Sequence, residues 1–267
     1  SMNHVVSRTV RDTAAMLDVT GGSEVGEPYS APEQQSIFLA AMSHKPDPVK
    51  VGIFRDKIGQ GDYDADALEG MQKTIALLEG LGHQVEEVSP PSELAAAANS
   101  GFTIISANAA LGAQQRADQL GCSVEELDME DGTRFTVSMG QAVSGTDYIQ
   151  AIQHNQAAGR AMGRFHMDYD LLLGPTIASA PVEVGYISDA PIDEYADRLF
   201  GFMGDTGLFN QTGQPSISLP LHWTADNLPL GMMFTAAYGQ DALLLQLAAQ
   251  LEEAQPWWDR RPPLCAG

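Results

Sequence analysis

A chain of 267 residues that is 44% hydrophobic and 18% charged can bury a sizeable core, which excludes an intrinsically disordered class. Its net charge of −21 repels phosphate backbones and anionic headgroups, so neither a nucleic-acid nor a membrane partner is expected. The two cysteines, Cys122 and Cys265, offer no disulfide framework and no metal-ligand spacing, a usage that fits a reducing, cytoplasmic location.

No apolar run reads as a membrane span, and no charged-then-apolar leader opens the chain. Ser7 is a predicted N-cap for a helix whose apolar positions Val10, Ala14 and Leu17 repeat at helical spacing until Gly21-Gly22. Gly26–Pro32 reads as a loop and Ile37–Met42 as a short apolar helix. Lys45-Pro46-Asp47-Pro48, within residues 44–48, is a possible internal linker in an otherwise single domain spanning residues 3–267.

Val49–Phe54 then reads as a buried strand. Ala65–Leu81 is an amphipathic helix with Leu68, Met71, Ile75 and Leu78 on one face, and Gln84–Val88 is a second strand. A crossover helix between two strands predicts that they pair in parallel. Ser92–Leu120 is helical, with breaks expected near Gly101 and Gly112. Asp131–Val143 and Asp147–Phe165 are two further helices, with Thr146 able to cap the second. Asp170–Leu173 is a short buried strand, Thr176–Pro191 a loop, and Ile192–Met203 a helix.

The stretch Phe209–Pro220 (FNQTGQPSISLP) is the most informative. Ser216–Leu219 alternates polar and apolar, Thr224–Asn227 supplies turn residues, and Gly231–Phe234 runs apolar, together predicting an antiparallel hairpin followed by a helix at Asp241–Ala254. Before it, Asn210, Gln211, Thr212 and Gly213 crowd hydrogen-bonding groups at a strand entrance, which suits either a substrate pocket or a plain turn. The fold class expected is α/β, a mixed sheet flanked by helices.

These residues also carry a family resemblance. The run N-x-T-G-Q-P-S-I-S-L-P, then WTADNLPLG, a Leu/Ala-rich helix and PWWDRRPP resembles the carboxy-terminal end of the amidase signature family, nearest its branch of bacterial amidases and 6-aminohexanoate cyclic dimer hydrolases. His4–Asp18 is similar to the helix that follows that family's catalytic core, and Tyr169–Thr176 (YDLLLGPT) to a further stretch. The resemblance implies hydrolysis of a small-molecule amide by a lysine and two serines. In such chemistry a neutral lysine takes a proton through one serine from the other, which attacks the amide carbon. The family places all three before the segment matching Val5–Leu17, so the expectation is a carboxy-terminal part with no catalytic residue of its own, inactive alone and prone to self-association. The alternative is a non-catalytic binding protein or subunit that keeps the scaffold. By the same resemblance, Pro175, Thr176, Asn210, Gln211, Thr212 and Gly213 line the substrate side of the site.

Other patterns point to simpler roles. Gly21-Gly22-Ser23-Glu24-Val25-Gly26 lacks a second serine and reads as a helix stop, and no G-x-S-x-G elbow is present. Asp62-Tyr63-Asp64-Ala65-Asp66 begins like a calcium loop, but Ala67 and Lys73 stand where glycine and glutamate are needed. No histidine falls in a zinc motif, His154 and His166 included. Gly52–Gly61 holds no G-x-G-x-x-G. No metal and no cofactor is expected.

Overall fold

The computed structural model describes residues 4–27, 29–32 and 37–262, so Pro28 of the Gly26–Pro32 loop and Cys265 lie outside the described residues. Five strands, β1 (Lys50–Ile53), β2 (Gln84–Glu87), β3 (Leu171–Pro175), β4 (Ser216–Trp223) and β5 (Pro229–Ala236), form one sheet in the order β2-β1-β3-β5-β4. β1 pairs in parallel with β2 and with β3, and β5 pairs antiparallel with both β3 and β4. This is the mixed sheet expected. The parallel pair comes from the crossover helix α3 (Ala65–Gly80), and the antiparallel pair from the turn at Thr224–Asn227, where Thr224 Oγ1 accepts from the Leu228 amide at 3.2 Å.

Helices cover both faces. On one side lie α1 (Val10–Thr20), α2 (Phe38–Ala41), α3 and α9 (Asp241–Ala254), which close a core around Leu171, Leu173, Met232 and Phe234. On the other lie α4 (Glu93–Leu120), α6 (Gly145–Phe165) and α8 (Thr206–Thr212), packed on Phe54, Leu172 and Met233. Alternation along the strands explains the division: Leu171 and Leu173 face one layer, Leu172 the other. Gly52 of β1 lets Phe165 reach the second face, since a Cβ there would stand 2.6 Å from the ring. A satellite cluster of Ala113, Ala117, Leu127 and Val137 joins α4 to α5 (Asp131–Gln141), and α7 (Ile192–Phe202) packs Tyr195 edge-on against Phe135 of α5.

Several boundaries differ from the sequence reading for local reasons. Thr9, not Ser7, caps α1: its hydroxyl accepts from the Asp12 amide at 3.1 Å, while Ser7 bonds to Thr9 and Thr13. Ser144, not Thr146, caps α6, through a capping box with Asp147. Leu68 is exposed rather than on the buried face of α3. The helix α4 is unbroken; Gly101 instead receives Gln211 of α8, and Gly112 stands in open space. By length and composition α4 is also apolar enough to cross a membrane, contrary to the expectation from the sequence. In the fold its small residues serve close helix contact: Gly140 of α5 lies against the Ser106 carbonyl, where no Cβ would fit.

Candidate functional site

The segment around the C-terminal end of β3 is held by one carboxylate. Asp205, just before α8, accepts from the Ile58 amide at 3.1 Å, the Gly59 amide at 2.9 Å and the Tyr63 hydroxyl at 3.0 Å. It thereby ties the loop after β1 to the α7–α8 joint. Burial, then the Asp205 charge and hydrogen bond, push the Tyr63 phenol far above its ordinary value, so it remains a donor. Beside it is a cavity of about 20 Å³, room for one water, bordered by Tyr63, Asp205, Gly174, Pro175, Phe209 and Thr235.

Next to this cavity the sheet carries a shelf of hydroxyls. Thr176 Oγ1 and Ser218 Oγ stand 2.6 Å apart, and Ser216 Oγ and Thr235 Oγ1 2.8 Å apart. Ser216 and Ser218 are exposed. The shelf needs Gly231: a Cβ there would collide with Ser218 Oγ and lie 2.8 Å from Thr176 Oγ1. The Thr176 amide donates to the Gly231 carbonyl at 2.9 Å, and Gly204 lets the α7–α8 joint pass directly over the Thr176 carbonyl.

Asn210, Gln211 and Thr212 are not a turn at a strand entrance, as the sequence suggested, but the last residues of α8, with Gly213 as its left-handed cap (φ 76°). Leu208 and Phe209, both buried, anchor this short helix on the sheet. Within it the predicted residues separate. Asn210 is exposed, Gln211 packs on Gly101 of α4, and Thr212 Oγ1 donates to Gln214 Oε1 at 2.9 Å. Gln214 in turn donates to the Ala236 carbonyl at 3.2 Å. Thr176 therefore stands at the Gly231 end of β5 and Thr212 near its Ala236 end, about 17 Å of strand apart at ~3.4 Å per residue. Pro175 borders the small cavity; Thr176 and Thr212 do not share it.

The structure adds Asp205, Tyr63, Ser216, Ser218 and Gly231 to the residues expected from the sequence. The alternation of Ser216 and Ser218 was a visible signal for a polar face. Nothing local marked Asp205, whose partners lie more than 140 positions away.

Each lysine is committed to a partner other than serine. Lys45 pairs with Glu253, Lys50 with Glu86 and Lys73 with Glu69. Lys57 Nζ donates to the Gln60 and Phe200 carbonyls. Burial lowers the Lys57 ammonium below the ordinary lysine value, partly opposed by Asp205 and Asp62. Ser100 Oγ and His154 Nδ1 stand 2.8 Å apart, but Ser100 is inside α4 and also donates to the Ala96 carbonyl, so the pair clasps α4 to α6. Away from the shelf, Asp66, Glu69 and His222 form the one grouping of potential metal ligands among the described residues.

A mixed sheet between two helical layers, with its longest strand pair presenting hydroxyls to solvent, defines an α/β scaffold with a polar wall on one face. The family model for amidases matches residues 1–245. The chain is 30% identical over 272 residues to a 6-aminohexanoate-cyclic-dimer hydrolase of Paenarthrobacter ureafaciens, covering 97% of this chain and 54% of that protein. It is 33% identical over 266 residues to a putative amidase AmiC of Mycobacterium tuberculosis, covering 96% and 52%. The solved structure of 6-aminohexanoate cyclic dimer hydrolase complexed with substrate superposes with a TM-score of 0.82 at 28% identity, over 96% of this chain and 55% of that one. A bacterial aryl acylamidase matches in fold, with a TM-score of 0.78 at 22% identity. The chain belongs to the amidase signature family, and it spans about half the length of the relatives it matches.

Proposed function

We propose that this chain is the carboxy-terminal part of an amide hydrolase of the serine–serine–lysine type, supplying the substrate-side wall of the site rather than its nucleophile. The observation that carries this reading is that, among the described residues, none of the four lysines donates to a serine: Lys57 Nζ is taken by the Gln60 and Phe200 carbonyls, and Lys45, Lys50 and Lys73 face carboxylates. The chemistry of the family needs a lysine within hydrogen-bond reach of a serine. The shelf of Thr176, Ser216, Ser218 and Thr235 supports the reading from the other direction. Its hydroxyls bond to one another, and among the described residues none of them bonds to a lysine, a histidine or a carboxylate, so they suit orientation of a polar substrate better than attack. The substrate class is a small-molecule amide, and Pro175, Thr176 and the exposed Asn210 of α8 are the proposed positioning residues. The location proposed is cytoplasmic.

The same reading implies self-association when the chain is alone. β4 ends the sheet, and its outer side pairs with no strand among the described residues, a template for a second chain. Light scattering should show dimers or larger species; a stable monomer at all concentrations would contradict this.

Serine-directed labelling tests the central point. A fluorophosphonate probe should leave the purified chain unmodified. Stoichiometric labelling of one serine, lost on unfolding, would place a nucleophile in this chain and overturn the proposal.

A further inference from the structure

On the face of the sheet opposite the hydroxyl shelf, the β4–β5 pair carries a buried imidazole. The register of β4 against β5 slips between Leu219 and His222, where Leu219 pairs with Met232 and His222 with Leu230. That shift is a β-bulge, one extra residue on β4. In unbroken alternation Leu219 and His222 would point to opposite faces; the bulge puts both on the side of Leu230 and Met232, under α3. His222 is 3% exposed, and its Nε2 has no hydrogen-bond partner among the described residues. The helix makes room for it at Gly70, where a Cβ would stand 2.9 Å from His222 Cβ and 2.7 Å from Met232 Cε.

Two carboxylates meet that ring. Asp66 and Glu69 sit three residues apart on α3, hence on one face of the helix, and one ligand atom from each of Asp66, Glu69 and His222 lies within 4.8 Å of the others. Glu69 is paired with Lys73 at 2.7 Å, an ion pair exposed at both ends and easily exchanged. The chain's charge of −21 further favours a cation.

We infer that Asp66, Glu69 and His222 form a binding site for one divalent transition-metal ion of the zinc type. Ligands at about 2.0–2.2 Å from a tetrahedral ion are about 3.4 Å apart, so the three atoms, which lie within 4.8 Å of one another, need to approach by no more than about 1.4 Å. An imidazole nitrogen with two carboxylate oxygens suits zinc, and the nitrogen ligand disfavours magnesium and calcium. Asp66 and Glu69 are solvent-accessible, leaving the fourth position to water. The ion would pin the first turns of α3 to the bulged end of β4, two elements whose ligands stand more than 150 positions apart in sequence. It would also give the buried imidazole a partner.

Calorimetry of the whole chain with zinc chloride alone tests this. One saturable site per chain is expected, with thermal stabilisation by zinc and none by magnesium. Asp66→Asn and Glu69→Gln each weaken zinc binding about tenfold or more, and His222→Gln removes it. The exposed His44→Gln leaves it unchanged. The two carboxylate variants keep the test open if His222→Gln fails to fold. A shift of the His222 imidazole resonances on zinc addition reads the site directly. No saturable zinc binding, or equal binding by an Asp66→Asn, Glu69→Gln double variant, overturns the inference.

Discussion

The two faces of this sheet are built on different principles. Toward α1, α3 and α9 the strands present Leu171, Leu173, Leu230, Met232 and Phe234, all at 1% exposure or less, and the helices close over them completely. Toward α8 the β1–β3 half is closed by Phe54, Phe165 and Phe209, but the β4–β5 half carries Ser216, Ser218 and Thr235 and leaves the two serines in solvent. The first face is spent on stability. The second keeps polar groups fixed by short hydroxyl pairs on a rigid strand, which is what a binding wall requires. Substitutions on the first face should cost folding, and those on the second only function.

The sharpest contrast comes from the closed face. Phe234→Ala should destabilise by about 3–5 kcal/mol, through lost burial and the cavity left behind, read from the denaturant midpoint. A loss below about 1 kcal/mol would mean that this core is not close-packed. Next in size is Asp205→Ala, which leaves two amides and the Tyr63 hydroxyl without their acceptor. A loss of about 3 kcal/mol is expected, with faster proteolysis of the Arg55–Gly61 loop as its local signature.

The pattern of what was legible follows the same division. The closed face could be read in advance because its signals are local: the helix at Asp241–Ala254 came out with its boundaries, and the parallel and antiparallel strand pairs followed from crossover and turn. The open side was harder. Asn210-Gln211-Thr212-Gly213 has turn chemistry, yet Leu208 and Phe209 dock the segment on the sheet as a helix, a tertiary effect that overrides propensity. Glycines in α4 suggested breaks where the fold uses one of them for close packing. Asp205 and His222 act only across long separations, and a bulge, invisible in the pattern Leu219-Pro220-Leu221-His222, decides which way His222 faces.

A smaller, pH-dependent effect is expected at the C-terminal end of α6, where His166 precedes β3. Burial lowers the His166 imidazole below its ordinary value of 6.5, outweighing hydrogen bonds to the backbone of Tyr169 and Asp170. The folded state thus binds this proton less readily than the unfolded chain. Its contribution to stability is full above pH 6.5 and is lost as pH falls from there through the depressed folded value. His166→Asn should flatten stability in that acid window; an unchanged profile would show that the ring is solvated.

The smallest effect belongs to the shelf. Ser218→Ala removes an exposed hydroxyl whose partner Thr176 can turn to water, so stability should change by no more than about 0.5 kcal/mol. A loss near that of Phe234→Ala would erase the distinction between the faces.

Turnover decides whether this chain forms one wall of an amide-hydrolysing site without supplying its nucleophile. Aliphatic and aryl amides are incubated with the purified chain, alone and with an amidase amino-terminal half supplied separately. No turnover is expected from the chain alone, turnover on reconstitution, and a reduced rate when Ser218→Ala or Thr176→Val is used in the reconstituted pair. Turnover by the chain alone, abolished by changing one of its own serines, would contradict this expectation.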